Sequence, residues 1–326
     1  MAGQITGLGT TYNLPNYTGI LYQLTPADTP FFSAIGGLTG GGQTDSIEFE
    51  WETFDLRNAG QNVALEGADA PTGQSRVRGN VSNLCQIHHE VVEVSYTKLA
   101  ATQAKAGINN AERNPVGNEL DWQVEQMLKQ MVRDVEFSLL RGTYQKPADN
   151  TTPRKTRGLL AAITTNVIAA PDGDAGTGGT QPSALTEDLV LDLLQMVWDN
   201  GGIQESDTAT LVCGSFQKRM LTKIFITDKN YQEASRTVGG VRVQTIETDF
   251  GTLNIMLDRH MPADQLLVSS LEQCRPVYQE IPGKGHFFAE PLARTGAKDR
   301  TQLYGEVGLA YGNERTHGKI TNLTTS

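Results

Sequence analysis

The chain has 326 residues, 38% of them apolar, 7% aromatic and 20% charged, which is enough for a buried core and excludes a wholly disordered chain. At roughly 150 residues per domain this length suggests two domains. A formal net charge of −10, from 27 basic and 37 acidic residues, argues against gripping nucleic acid through a basic face, and no window approaches the ~18 apolar residues of a membrane span.

The N-terminus, MAGQITGLGT, has neither the basic head nor the apolar stretch of a secretory signal. Three scattered cysteines, Cys85, Cys213 and Cys274, make no disulfide framework and point to folding in a reducing cytoplasm. Residues 1–43 are rich in Gly, Thr, Pro, Tyr and Asn, with one apolar cluster, Pro30-Phe31-Phe32-Ser33-Ala34-Ile35. Such an arm either folds on its own domain or lies on a neighbouring subunit. The exposed cost of Phe31 and Phe32 favours the neighbour.

From Thr44 the pattern is that of a strand. Ile47, Phe49 and Trp51 alternate with Glu48, Glu50 and Glu52, placing an apolar row on one face and carboxylates on the other. A polar stretch from Asn58 to Gly79 follows, and a second strand-like run extends from Val81 to Tyr96. Residues 44–96 therefore predict an extended hairpin with a long tip. A two-stranded hairpin is marginal alone in water, so this one must lean on something.

A short helix is expected from Thr97 to Ala106, and the clearest element of the chain comes after it. Asn118 is a good N-cap, Asp121 can reach back to it, and Leu120, Val124, Met127, Leu128, Met131, Val135 and Leu139 recur on one helical face. Glu125 and Lys129 form an i,i+4 pair and Gly142 is the stop, giving a helix over 118–141 of roughly 35 Å. Residues 143–185 are loop-rich, with a glycine-rich surface loop from Pro171 to Gly179.

A second helix starts at Thr186, with Glu187 and Asp188 in its first turn and Leu185 and Val190 as a hydrophobic staple. It carries Leu189, Leu193, Leu194, Val197 and Trp198 to a stop at Gly201-Gly202. Thr210 to Cys213 reads as a buried strand, and Ser215 as the cap of a helix through Met220 to about Phe225. Strands then dominate. Val241 to Ile246 and Leu253 to Leu257 flank a hairpin turn at Thr248-Asp249-Phe250-Gly251. Gln265 to Leu271 and Thr301 to Tyr311 follow, and Ile320 to Leu323 reads as a short edge strand.

Chemical motifs are incomplete. Cys85, His88 and His89 resemble half a zinc site without a second ligand pair, and His89-Glu90-Val91-Val92-Glu93 has Glu where a zincin helix needs His. Asp172-Gly173-Asp174 opens like a calcium loop, but Thr177 and Ser183 stand where Gly and Glu are needed. The glycines at Gly36-Gly37, Gly40-Gly41-Gly42 and Pro282-Gly283-Lys284-Gly285 lack the rest of a phosphate loop. Cys213-Gly214-Ser215 is a strand, turn and cap. His260, beside Asp258 and Arg259, is a surface turn before Pro262. These readings assign no catalytic, cofactor-binding or metal-ligating residue and no enzymatic activity.

The order of segments resembles the major capsid proteins of tailed bacteriophages, with the α+β Hong Kong 97-type fold. The likeness rests on Thr29-Pro30-Phe31-Phe32-Ser33 in the arm, the extended loop, the long helix, and the Gly305 to Leu309 and His317 to Ile320 segments. It implies an N-terminal arm over 1–43, an extended loop over 44–96 and a peripheral domain over 97–185 with its spine helix at 118–141. An axial domain over 186–300 would send strands back to the peripheral domain, with C-terminal strands over 301–326.

The family implies hexamers and pentamers of an icosahedral shell around packaged double-stranded DNA, made in the host bacterial cytoplasm and ending in the virion. Portal, scaffolding and decoration proteins are its implied partners; no membrane and no cofactor are implied. Phe31, Phe32, Glu48, Glu50, Glu52, Arg76 and Arg78 are the expected intersubunit contacts, the acidic row pairing with the arginines of the next subunit. Some relatives crosslink a lysine of the extended loop to asparagine, but here no lysine precedes Lys98, so no covalent mesh is expected. An encapsulin-type compartment shares the fold and would hold protein cargo, while a monomeric α+β enzyme or adhesin is the remaining alternative.

Overall fold

A computed structural model describes residues 23–25, 28–101, 116, 118–170, 182–203, 210–227 and 245–325. Most of the expected arm, the helical turn beyond Ala101, the loop from Pro171 to Gly179 and the strand start at Val241 lie outside the described residues. The chain divides into two compact units, one of Met1–Asp28, His89–Met131 and Phe288–Tyr304, the other of Thr29–His88, Val132–Phe287 and Gly305–Ser326.

The elements run in chain order as follows. Helix α1 (Pro30–Ala34) leads to β1 (Gly42–Thr44), the hairpin strands β2 (Glu48–Phe54) and β3 (Arg78–Leu84), and β4 (Gln86–Ser95). The short α2 (Tyr96–Ala100) precedes the long α3 (Glu119–Arg141), α4 (Leu159–Ala162), β5 (Val167–Ala169) and α5 (Glu187–Asp199). Strand β6 (Thr210–Cys213) feeds α6 (Ser215–Thr222), which widens into a π-helical turn at Lys223–Thr227. Strands β7 (Thr245–Thr248), β8 (Gly251–Leu257), β9 (Leu266–Ser269), β10 (Arg275–Gln279), β11 (Phe287–Pro291), β12 (Lys298–Ala310) and β13 (Gly318–Thr321) complete the chain.

The larger unit is organised by a mixed six-stranded sheet, ordered β5-β13-β9-β6-β8-β7. Its central strands β6 and β9 are buried at every position, which explains their unbroken apolar runs. The period of two still operates inside them. Leu211, Cys213, Leu266 and Val268 join one core with Leu193, Leu194 and Val197 of α5. Val212 and Leu267 point the other way, into a second core with Val135, Leu139 and Leu140 of α3 and Val307 and Leu309 of β12. The sequence places β13 at an edge; it lies between β5 and β9, because it pairs parallel with one and antiparallel with the other.

The second core also holds Phe31 and Phe32, at 0% and 1% exposure. This corrects the expectation that these rings reach a neighbouring subunit. The turn of α1 brings both into the chain's own interior, and the N–H groups of Phe31 and Phe32 donate to the Glu136 carboxylate of α3 at 2.9 and 2.6 Å. The glycine run beyond α1 has a packing reason. Gly41 has φ +101°, and a Cβ there would meet the Pro276 carbonyl oxygen at 2.3 Å, so only glycine lets β1 pair parallel with β10.

Residues 81–96 do not form one strand. At Cys85 the chain changes partners: β3 pairs antiparallel with β2 as a two-stranded sheet, whereas β4 pairs with β12 in the five-stranded sheet. Continuous alternation hides that change. Helix α3 follows expectation, with the Leu120 N–H donating to Asn118 Oδ1 at 3.1 Å and Lys129 bonded to Glu125 at 2.7 Å. It stops where the chain crosses itself, since a Cβ on Gly142 would sit 2.3 Å from the Ser138 carbonyl and 2.6 Å from that of Thr156. Thr186 caps α5 by accepting the Leu189 N–H at 3.3 Å, but Trp198 is 52% exposed and leaves the apolar face expected for it. Gly214, not Ser215, is the N-cap of α6.

In the smaller unit, Val92 and Val94 of β4 and Met131 of α3 are buried. The Glu93 carboxylate binds Lys298 and lies 2.6 Å from Arg300, while the His89 and Phe288 rings each lie 5.7 Å from Tyr304.

Candidate assembly surface

The hairpin is the least covered regular element of the larger unit. Its ladder runs from Glu48 opposite Leu84 through Trp51 opposite Val81 to Phe54 opposite Arg78. The apolar row of β2 secures the root. The Trp51 indole N–H donates to the Gly312 carbonyl at 2.7 Å, and its ring meets Tyr311 edge-on at 4.9 Å. Phe49 stacks beside Trp51 at 6.0 Å and lies so close to Gly308 that a Cβ there would be 2.6 Å from its ring. Below this face is a groove of about 980 Å³, lined by Trp51, Asp55, Arg157, Glu314 and Arg315 among others.

Beyond Phe54 that support ends. Every residue from Asp55 to Val77 is exposed, and the stretch carries Leu56 at 68%, Val63 at 83%, Leu65 at 84% and Val77 at 84%. Isolated exposed apolar residues need no explanation; here four stand on one loop that the other described residues leave uncovered.

The acidic face is engaged within the chain. Lys146 binds Glu48 at 2.5 Å, and its hydrogen bond holds that carboxyl below the usual carboxylate range. Arg78 binds Glu52 at 2.6 Å across the ladder, and Asn80 donates to Glu50 at 3.4 Å. Within the chain, Glu48 thus pairs with Lys146, which lies outside the hairpin, and Glu52 pairs with Arg78 across it. Arg76 differs: it is exposed and makes no ion pair among the described residues.

Motifs that hinted at chemistry are taken up by packing. Burial pushes the Cys85, Cys213 and Cys274 thiols up to about 12, far from a reactive thiolate. His88 is buried, which lowers it to about 4, whereas His89 is exposed, so the two do not share an environment. Among the described residues no group of three or more His, Cys, Asp or Glu side chains could hold a metal ion. The His260 N–H donates to Asp258 Oδ1 at 2.7 Å, which makes a local turn.

A buried chain of hydrogen bonds escaped sequence reasoning. His317 Nε2 bonds the Tyr311 carbonyl at 2.8 Å, its Nδ1 lies 3.2 Å from Ser269 Oγ, and that hydroxyl lies 3.8 Å from Cys274 Sγ. All three side chains are buried, so the set is a satisfied core network without access for substrate. A run of isolated residues far apart in sequence carries no local signal for it.

Residues 4–324 match the SU10 major capsid protein family. The chain belongs to that family. A stretch of 120 residues, 36% of this chain, is 37% identical to the major capsid protein of Escherichia phage Phieco32 and spans 30% of that protein's length. Among solved structures, the cyanophage A-1(L) capsid subunit superposes with a TM-score of 0.67 at 12% identity, covering 99% of this chain and 100% of that one. An encapsulin complex from Synechococcus elongatus gives 0.57 at 13% identity, covering 96% and 94%. These likenesses show the fold, the α+β Hong Kong 97-type expected from the sequence.

Proposed function

We propose that the chain is the building block of an icosahedral phage head, assembling as hexamers and pentamers around packaged double-stranded DNA. The observation that carries this reading is the loop from Asp55 to Val77, whose apolar side chains have no cover among the described residues. Closed assemblies repeat a few interfaces many times, and such a loop gives each subunit something to lay on the next. In that shell residues 1–43 act as the arm, the hairpin as the extended loop, and α3 as the spine of the peripheral domain. The region from Thr186 onward contributes the axial domain. Portal, scaffolding and decoration proteins are its further partners, with assembly in the host cytoplasm.

The net charge of −10 suits a wall that encloses DNA without gripping it. No catalytic step is assigned. The first lysine, Lys98, lies on α2 outside the hairpin and pairs with Glu119 at 3.5 Å. Mature shells should therefore run as a single monomer band in denaturing electrophoresis; a ladder would refute the absence of a covalent mesh.

Negative-stain microscopy of the purified chain tests the shell itself, with closed particles expected and a uniform monomer overturning it. The encapsulin reading has one specific support, the shared fold. Nucleic-acid content separates the two: particles recovered from lysed host cells should contain protected double-stranded DNA. Particles filled only with protein would favour the compartment.

A further inference from the structure

The root of the arm is held by an unusual partner. Thr29 precedes α1 but makes no side-chain cap bond, and Pro30 has no N–H to offer. The next two donors, the N–H groups of Phe31 and Phe32, go to Glu136 Oε1 and Oε2 at 2.9 and 2.6 Å. Glu136 is 0% exposed on the buried face of α3, one turn before Leu140. Against it lies Asp258, also 0% exposed, immediately after β8. Asp258 Oδ1 accepts the His260 N–H, while its buried Oδ2 has no partner when both acids are ionised.

Two buried carboxylates set against each other cannot both carry their charge cheaply. A single proton between them replaces repulsion with an O–H···O bond and satisfies Asp258 Oδ2. Helix α1 brings no titratable side chain, α3 brings Arg133 and Asp134 in the preceding turn, and the segment after β8 brings Arg259 and His260. Of the charged side chains among the described residues, only Asp258 acts on Glu136.

We propose that a proton on Glu136, held toward Asp258, forms a latch on the root of the N-terminal arm, which opens when that proton is lost. With the proton in place, Glu136 donates to Asp258 and still accepts both N–H groups of α1. Without it, like charges in contact push α3 and the end of β8 apart at the point where Phe31 and Phe32 are seated.

Burial, then the bond to Asp258 and its charge, raise the Glu136 carboxyl well above the ordinary carboxylate range, against the pull of the two N–H donors. The folded value exceeds the ordinary carboxylate value of 4.5. The latch's contribution is thus complete below that ordinary value, falls as pH rises above it, and is gone once pH passes the raised folded value. The latch is a property of one chain, so its fate is independent of the shell reading.

Hydrogen exchange of the Phe31 and Phe32 amides in the full-length chain tests it between pH 6 and pH 10. Rates are divided by the intrinsic rate at each pH and referenced to the Val212 amide of β6. Protection at α1 should fall as pH rises across this range while Val212 keeps its own. Glu136→Gln, which retains an acceptor for α1 and gives Asp258 a donor, should flatten that fall. Asp258→Asn, which removes the like charge, should flatten it as well. A flat profile in the unmodified chain overturns the latch even if neither variant folds, and so does a fall that persists unchanged in either variant.

Discussion

In β6 every residue from Thr210 to Cys213 is buried, with Leu211 in one core and Val212 in the other. In β2 no residue is fully buried, and Glu50, Glu52 and Phe54 are exposed. Both strands belong to the same unit, yet one is covered on two faces by its own chain and the other only near its root, by Tyr311, Gly312 and Gly308. The difference separates two tasks. The six-stranded sheet and its flanking helices hold the larger core, while the hairpin ends in a tip that the other described residues leave exposed. A subunit divided in this way can join a shell without rebuilding its core.

The comparison breaks most visibly at the tip of the hairpin. Replacing Val63, Leu65 and Val77 with serine should abolish closed particles in negative stain, yet shift the free energy of unfolding by no more than about 0.5 kcal/mol. Normal shells, or a loss of stability like that of a core variant, would show that the tip is not an assembly surface. Leu193→Ala is the reciprocal change, removing a fully buried side chain from between α5 and the sheet. It should cost about 2–5 kcal/mol in denaturant titration, with assembly failing only in proportion to the unfolded fraction. Gly142→Ala comes next. Its added Cβ meets two backbone carbonyls, which cannot swing aside as a side chain can, so about 1–3 kcal/mol is expected.

These regions were not equally legible in the sequence. Helix α3 announces itself through Asn118 and a long apolar period, and the turn between β7 and β8 through Gly251, because both signals are local. Strands β1 and β5 have no such signal. Each has three residues and exists because it finds a parallel partner far along the chain, β10 for one and β13 for the other. The apolar cluster at Phe31 and Phe32 was visible, but its destination was not. That depends on Glu136, a lone glutamate whose helical neighbours Val132 and Leu140 lie four residues to either side. Such a charge on an apolar face is the trace in the sequence of a buried anchor. The acidic stripe was legible only in part: alternation gives the face on which Glu48 and Glu52 lie, but not that Lys146 and Arg78 of the same chain pair with them.

The smallest effect sharpens the comparison most. Arg78 and Glu52 are 67% and 52% exposed, so solvent screens their pair and its loss in Arg78→Glu should cost no more than about 1 kcal/mol. The double exchange of Glu52→Arg with Arg78→Glu rebuilds the cross-strand pair with its charges reversed. If these two residues serve only their own hairpin, the exchanged chain should recover its stability and form shells like the unmodified one. Arg76 makes the control, since it has no ion-pair partner among the described residues to lose. Arg76→Glu should leave the unfolding midpoint unchanged, and if its charge addresses the next subunit, shell yield should fall, more at low salt than at high because the unfavourable contact is then less screened. Should the exchange abolish shells while Arg76→Glu leaves them intact, the roles are reversed, and the neighbour reads the ladder of the hairpin instead of its tip.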